Sequence, residues 1–363
     1  MIKTIFKIII LITISIMISC SNENLGTKKE NIQLSENERL EIFDIRYLTA
    51  DNGEYLNVLL KENSKSVFVD YIFYTNQSID AFTFDTEINE GYIKAEAIDD
   101  YGTNYIEGNL SDSGFNGKIE GREVNFVSAK SPFSGAKIIR YSYTNVSPTN
   151  ASEEDIKTFE YYSSICLFNN DKKSAIIDKI NLDINSEITD AKLDMNKLSD
   201  VKNILSNNML WFYNEWTGGE YMSHYYSISE YGIDYLSEKI ASINKYFYEY
   251  TGGAHGVHEK IYKVYSLSDG ERLKIEDILI DVNNLDLINK VKEKLLSMSD
   301  KEIYFNLDEL SLQENNFYIT SKGLIFTWGI YEIAPYAMGD SEVLFLADEI
   351  LPYLKDEYKK IFE

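Results

Sequence analysis

Proline, cysteine and positive charge are all scarce in this sequence. Its 363 residues include 4 Pro, 2 Cys and 3 His, and 35 Lys+Arg stand against 59 Asp+Glu for a formal net charge of −24. The deficit of basic residues excludes nucleic acid as a partner, because binding a phosphate backbone takes a surplus of Lys and Arg to release counterions. Two cysteines, Cys20 and Cys166, allow neither a disulfide framework nor a CxxC site, so stability must come from apolar cores. Cys166 lies in the apolar stretch Ser164-Ile165-Cys166-Leu167-Phe168, where a cysteine acts as a small buried hydrophobe. No Gly-x-Ser-x-Gly elbow, phosphate loop or dinucleotide fingerprint occurs. With 59 acids any carboxylate pair would be an arbitrary choice. No residue is therefore nominated as catalytic, and no cofactor is expected.

Hydrophobic residues make up 44% and charged residues 26%, which is ordinary globular usage and excludes wholesale disorder. The 28 tyrosines lean the composition towards half-buried sheet surfaces. Met1–Ser19 carries Lys3 and Lys7, then an apolar run from Ile8 to Ile18, and ends at Ser19-Cys20. That layout is a secretory signal, and a run of eleven residues is too short to span a bilayer core. The junction Met17-Ile18-Ser19-Cys20 resembles a bacterial lipobox. The resemblance implies residues 1–19 as lipoprotein signal, Cys20 as the lipidated N-terminus, and attachment to the extracytoplasmic side of the membrane. Cleavage there removes two lysines and no acid, taking the net charge from −24 to −26. Residues 20–38 read as a flexible polar tether.

From Leu40 to Ser142 turn signals recur at short intervals, among them Asp51-Asn52-Gly53, Asn89-Glu90-Gly91, Asn116-Gly117 and Glu120-Gly121. Strand-like runs such as Val67–Tyr74 and Val124–Val127 lie between them. The pattern predicts an all-β antiparallel sandwich or small barrel over 39–146. Ser147–Glu154, small, polar and containing Pro148, reads as a linker. Beyond it the spacing predicts a helix over 198–216, with Val201, Leu205 and Leu210 on one side, and a strand over 240–250. That strand sets Tyr246, Tyr248 and Tyr250 on one face, and Ile243 and Phe247 on the other. A second helix is expected over 283–296 (Leu287, Val291, Leu295), then a hairpin over 316–328, a strand over 342–346, and a terminal helix over 350–362 broken early by Pro352. Helices interleaved with hairpins make 155–363 an α+β domain with helices packed on an antiparallel sheet, and the chain as a whole α+β.

Three stretches of the second half occur in a recognisable order. They are Phe247–Gly256 with its Thr251-Gly252-Gly253-Ala254-His255-Gly256 core, Glu271–Leu279, and Gly323–Trp328 leading into Tyr331-Glu332-Ile333-Ala334-Pro335-Tyr336-Ala337-Met338-Gly339. Together they resemble the extracytoplasmic PdaC/RsiV-type domain, found with a peptidoglycan deacetylase and in a lysozyme-binding anti-sigma factor. Neither a deacetylase catalytic domain nor a sigma-binding segment accompanies the likeness here, so a binding or scaffolding module is expected.

Gly252, Gly253 and His255 make one candidate recognition loop; alternatively they form a strand-ending turn in which His255 caps a local carbonyl. Tyr331, Glu332 and Tyr336 make a second candidate surface, on which aromatic rings with polar tips stack against a sugar or a partner protein, or else cover a sheet edge. His224, His255 and His258 could in principle hold zinc, but the spacing of His255 and His258 does not favour it, and no metal is expected. The expected function is non-catalytic binding of a cell-wall component such as peptidoglycan, or of a lysozyme-like basic protein drawn by the negative surface. The alternative is a wall glycan hydrolase or deacetylase using His255.

Overall fold

The computed structural model describes residues 35–362 apart from 75–78, 100–101, 134, 147–157, 171–173, 195–196, 219–223, 300–302, 306 and 313. The signal segment, Cys20, most of the tether and the Ser147–Glu154 linker therefore lie outside the described residues. Among those described, no helix is long and apolar enough to cross a membrane.

The first eight strands are β1 (Glu38–Thr49), β2 (Tyr55–Lys61), β3 (Ser66–Tyr74), β4 (Ile79–Glu87), β5 (Tyr92–Asp99), β6 (Gly102–Ser111), β7 (Gly114–Ile119) and β8 (Arg122–Ser128). They pair antiparallel in chain order from β1 to β4 and from β5 to β8. β8 returns to β1 through Leu48↔Ser128 and Thr49↔Val127. β4 and β5 meet through the Thr86 hydroxyl, which donates to the Lys94 carbonyl at 2.8 Å. The result is a small up-and-down barrel, the second of the two forms its turn spacing predicts. Glu120 and Gly121, both at positive φ (51° and 71°), make the tight turn that matches strand twist between β7 and β8. Leu56, Val58, Val67, Val69, Phe84, Ile106, Phe115 and Phe126 pack together inside.

β1 belongs to two structures at once. Its second half pairs with β2, and its first half with β9 (Ala136–Val146). β9 pairs along its whole length with β10 (Thr158–Phe168), from Val146↔Thr158 to Ala136↔Phe168. The strands on either side of the expected linker are thus direct hydrogen-bonded neighbours. β10 runs parallel to β11 (His224–Leu236), and the crossover between them carries α1 (Ala175–Ile184) and α2 (Leu198–Gly218). β12 (Ile240–Tyr250), β13 (Val257–Ser266) and β14 (Arg272–Leu273) continue the sheet antiparallel.

Pairing of β10 with β11 ends at Ser163↔Ser229. There α1 takes over: the Asn185 amide bonds both backbone groups of Cys166 (3.1 and 2.8 Å), and Asn181 does the same for Phe168 (2.8 and 2.9 Å). Side-chain amides satisfy the groups a neighbouring strand would otherwise pair. Cys166 is fully buried, and burial pushes its thiol up to about 12. α2 packs Val201, Leu205 and Met209 against Phe159, Tyr161, Ile165 and Tyr225. Leu210, expected on that side, is instead 48% exposed, because the i, i+4 row continues from Leu205 to Met209.

A second sheet of β15 (Phe317–Ile319), β16 (Gly323–Trp328) and β17 (Ser341–Leu346) packs with α3 (Ile275–Ile278) and α4 (Leu285–Met298), whose Leu287, Val291 and Leu295 are all buried. It is fastened to the main sheet by Tyr262 and Tyr318, whose rings stack at 4.2 Å and 3° and whose hydroxyls donate to the two Glu342 oxygens at 2.8 and 3.0 Å. The terminal helix expected over 350–362, broken early by Pro352, does not form as one element beyond the break. The segment forms α5 (Ala347–Ile350), a 3₁₀ turn at Leu351–Tyr353 and α6 (Asp356–Lys359). Pro352 lacks an N–H, and Leu354 is extended, bridging to Leu279.

At a bulge in β11, Asp234 is buried where barrel and sheet meet. Its Oδ1 accepts from the Asn244 amide at 2.8 Å, and its Oδ2 has no partner. Burial pushes the carboxyl from its ordinary 3.8 up to about 7, against a smaller opposing pull from Asn244. The folded state therefore holds this proton more tightly than the unfolded chain. The associated stability is complete below about pH 4 and is lost as pH rises through about 7, a change of ~4 kcal/mol. Urea midpoints at pH 5 and pH 8 test this: the parent protein should lose clearly more stability over that interval than Asp234→Asn, and parallel pH profiles would contradict it.

Candidate functional site

The first residues of β10 and most of β11 alternate between a buried and a more exposed face. Odd-numbered Phe159, Tyr161 and Tyr225 are buried beneath α2, and the even-numbered neighbours turn the other way. Register then lines up the even face. Glu160, Tyr226 and Tyr250 stand opposite one another on β10, β11 and β12, and the next row is Tyr162, Ile228, Tyr248 and His258. Ring centroids lie 5.8 Å apart for Tyr162–Tyr226, 5.9 Å for Tyr226–Tyr248 and 6.0 Å for His224–Tyr250. At one end the face sinks into a depression of about 510 Å³ lined by His224, Tyr226, Tyr248, Tyr250, Ala254 and His255.

Two features of the loop between β12 and β13 shape this depression. Gly252 and Gly253 take φ of 103° and 98°, conformations that disfavour a side chain, and leave open space where a Cβ would stand. Gly256 is required for a different reason. A Cβ there would lie 2.5 Å from Cζ and Oη of Tyr248, so only glycine lets that phenol lie against the backbone. The Tyr250 hydroxyl donates to Gly253 O at 3.0 Å and closes the loop. His255 Nδ1 lies 2.9 Å from Gly256 O. A carbonyl only accepts, so Nδ1 carries the proton, and Nε2 of the neutral ring is an acceptor. The His224 Nδ1 makes a close contact with the Thr158 hydroxyl.

The two separately nominated stretches meet. The His255 ring stacks on Tyr336 with centroids 3.9 Å apart at 21°, and Tyr331 lies 5.9 Å from Tyr336. Tyr336 opens a 3₁₀ turn, Tyr336–Met338, closed by Gly339 at φ 65°. Tyr331 is 57% exposed at φ 63°, an uncommon conformation for a tyrosine. Glu332 turns to local work instead: its Oε2 accepts from Gly329 N at 3.0 Å and from the Asn316 amide at 2.9 Å. His258 faces Asp340 at 3.4 Å and sits between Tyr246 and Tyr336. His224 and His255 share the depression, whereas His258 is paired outside its lining. Among the described residues, no group of three His, Cys, Asp or Glu side chains is placed to hold a metal.

Sequence reasoning did not nominate Tyr162, Tyr226, Tyr248, Tyr250 or His224 for this site. The alternation Tyr246, Tyr248, Tyr250 was the available signal, and the strand it marks has the bounds expected of it. On the buried face Tyr225 donates to Glu249 at 2.9 Å, and burial pushes the Glu249 carboxyl up.

Residues 152–258 match the family described as Deacetylase PdaC, and residues 276–346 match the protein family of unknown function DUF3298. No curated protein matches the chain. Among solved structures, a DUF3298-family protein from Bacteroides fragilis is 17% identical with a TM-score of 0.45, covering 63% of this chain and 97% of that one. Another, from Pseudomonas aeruginosa, is 14% identical with a TM-score of 0.39, covering 62% and 95%. Along the second half of the chain a match to the PdaC family model is thus followed by a match to the DUF3298 model.

Proposed function

We propose that this protein is a lipid-anchored module of the cell envelope that binds a cell-wall component on its ring-bearing sheet face without turning it over. The observation that carries the reading is that face itself: Tyr162, Tyr226, Tyr248, Tyr250 and His224 on the solvent side of strands whose reverse side packs on the core, with His255 beside them on the loop between β12 and β13. Aromatic rings with polar tips suit recognition, since one ring supplies contact area and a hydrogen-bonding group at low cost in side-chain entropy. The chemistry of His255 fits the same role. Its Nδ1–H is given to a backbone carbonyl and its ring is packed on Tyr336.

Retention on purified peptidoglycan sacculi tests the reading. Tyr248→Ala should weaken retention about tenfold, the loss of roughly 1.4 kcal/mol. No acetate or reducing sugar should be released by the parent protein; release that disappears in His255→Ala would establish the enzyme instead. The net charge of −24 also favours a basic, lysozyme-like protein as partner. That branch predicts binding to lysozyme at low salt that fades as ionic strength rises. The anchor is tested independently: Cys20→Ser should move the protein from the membrane fraction to the soluble one, and unchanged membrane recovery would remove lipidation from the account.

A further inference from the structure

We infer that the depression between β11, β12 and the 251–256 loop takes an uncharged pyranose oligosaccharide, so that the wall component recognised is glycan rather than peptide or anionic polymer. The inference rests on the binding role proposed for this face and adds the chemical class of the ligand.

Five of the six lining residues are aromatic or imidazole rings, and among the described residues none of the six is Asp, Glu, Lys or Arg. A pyranose presents C–H groups on its faces and hydroxyls around its rim, so it lies on a phenol ring and hydrogen-bonds at the edges. The polar tips present suit such a rim. His255 Nε2 accepts, and the Tyr250 oxygen keeps acceptor capacity after donating to Gly253. At about 510 Å³ the depression falls within the ordinary range for small-molecule sites. The ring row also continues beyond it: Tyr226 leads to Tyr162 across β10, and His255 leads to Tyr336 and Tyr331 on the other side. A chain of sugars has platforms in both directions.

Charged ligands fit less well. A cationic group would want a carboxylate in the lining. Glu249, on the strand that bears Tyr248 and Tyr250, points to the opposite face and accepts from Tyr225, while Glu160 lies in the row outside the lining and accepts from Tyr162 at 3.3 Å. An anionic polymer would meet a protein of net charge −24.

Calorimetric titration of the full chain with chitotetraose and cellotetraose tests the inference, with hexalysine and polyphosphate as charged comparisons. At least one of the two neutral tetrasaccharides should bind, with an affinity that does not change with salt. Tyr248→Ala and Tyr226→Ala should each weaken it about tenfold, whereas Tyr248→Phe, which keeps the ring, should stay within about threefold. Unchanged thermal midpoints establish that these variants fold. Absence of binding by both neutral sugars, or binding indifferent to Tyr248→Ala and Tyr226→Ala, overturns the inference. Sacculus retention then separates the two claims: if it persists and still depends on Tyr248, the face is right and the ligand class wrong.

Discussion

Side chains on paired strands point alternately to two faces, and in this protein one face of β10–β13 is committed to the core. Phe159, Tyr161 and Tyr225 are pressed beneath Val201, Leu205 and Met209 of α2. A slip of one residue in any of these strands would drive a polar or exposed residue under the helix and lift a buried ring into water. The apolar side therefore pins the register, and the solvent side inherits its geometry. Ring-to-ring contacts near 6 Å between Tyr162, Tyr226 and Tyr248 contribute little each. What holds the row is the packing behind it, so the platform exists before any ligand arrives.

The joins between layers follow another rule: they are polar and specific. Tyr262 and Tyr318 both donate to Glu342 where the small sheet meets the main one. Lys263 donates to the last carbonyls of α1, Asp183 and Ile184, at 2.7 and 3.2 Å, and pairs with Glu187 at 2.6 Å. A cation at a helix C-terminus satisfies open carbonyls and complements the dipole. Lys245, 3.9 Å from the same Glu187, is pushed down to about 8 by burial, a sign of how dry this region is. Buried polar groups are costly unless paired, so such joins admit few alternative dockings. The small sheet and its 329–340 loop are thereby set at one position, with Tyr336 over His255.

Much of this architecture was legible because it rests on short periods. The 240–250 strand, the 283–296 helix and the 316–328 hairpin follow from alternation, i, i+4 spacing and turn residues, each a local signal. The misplacement of Leu210 came from choosing a near neighbour of the row that Met209 completes. The terminal helix expected beyond the break at Pro352 is reduced to Asp356–Lys359, because Leu354 is extended and bridges to Leu279. Gly252, Gly253, His255, Tyr331 and Tyr336 could be nominated from composition and family likeness. Their convergence could not, since His255 and Tyr336 are brought together by the Tyr262–Tyr318–Glu342 join. Nor could the role of Gly256, which depends on where the Tyr248 phenol falls. The turn of Glu332 towards Gly329 and Asn316 likewise needed coordinates.

Charge and contact act at different ranges on this molecule. The overall negative field reaches about one Debye length, roughly 8 Å at physiological ionic strength, and can bias what approaches. None of the described residues lining the depression is Asp, Glu, Lys or Arg. On the reading proposed above, charge would draw a basic protein to the surface while the rings select by shape at contact. The exposed Tyr331 stands at positive φ beside Tyr336. Backbone strain of this kind persists only where the surroundings enforce it, and here the turn tied down by Glu332 does so. Long-range charge and short-range rings are therefore separable, and substitutions in one should leave the contribution of the other intact.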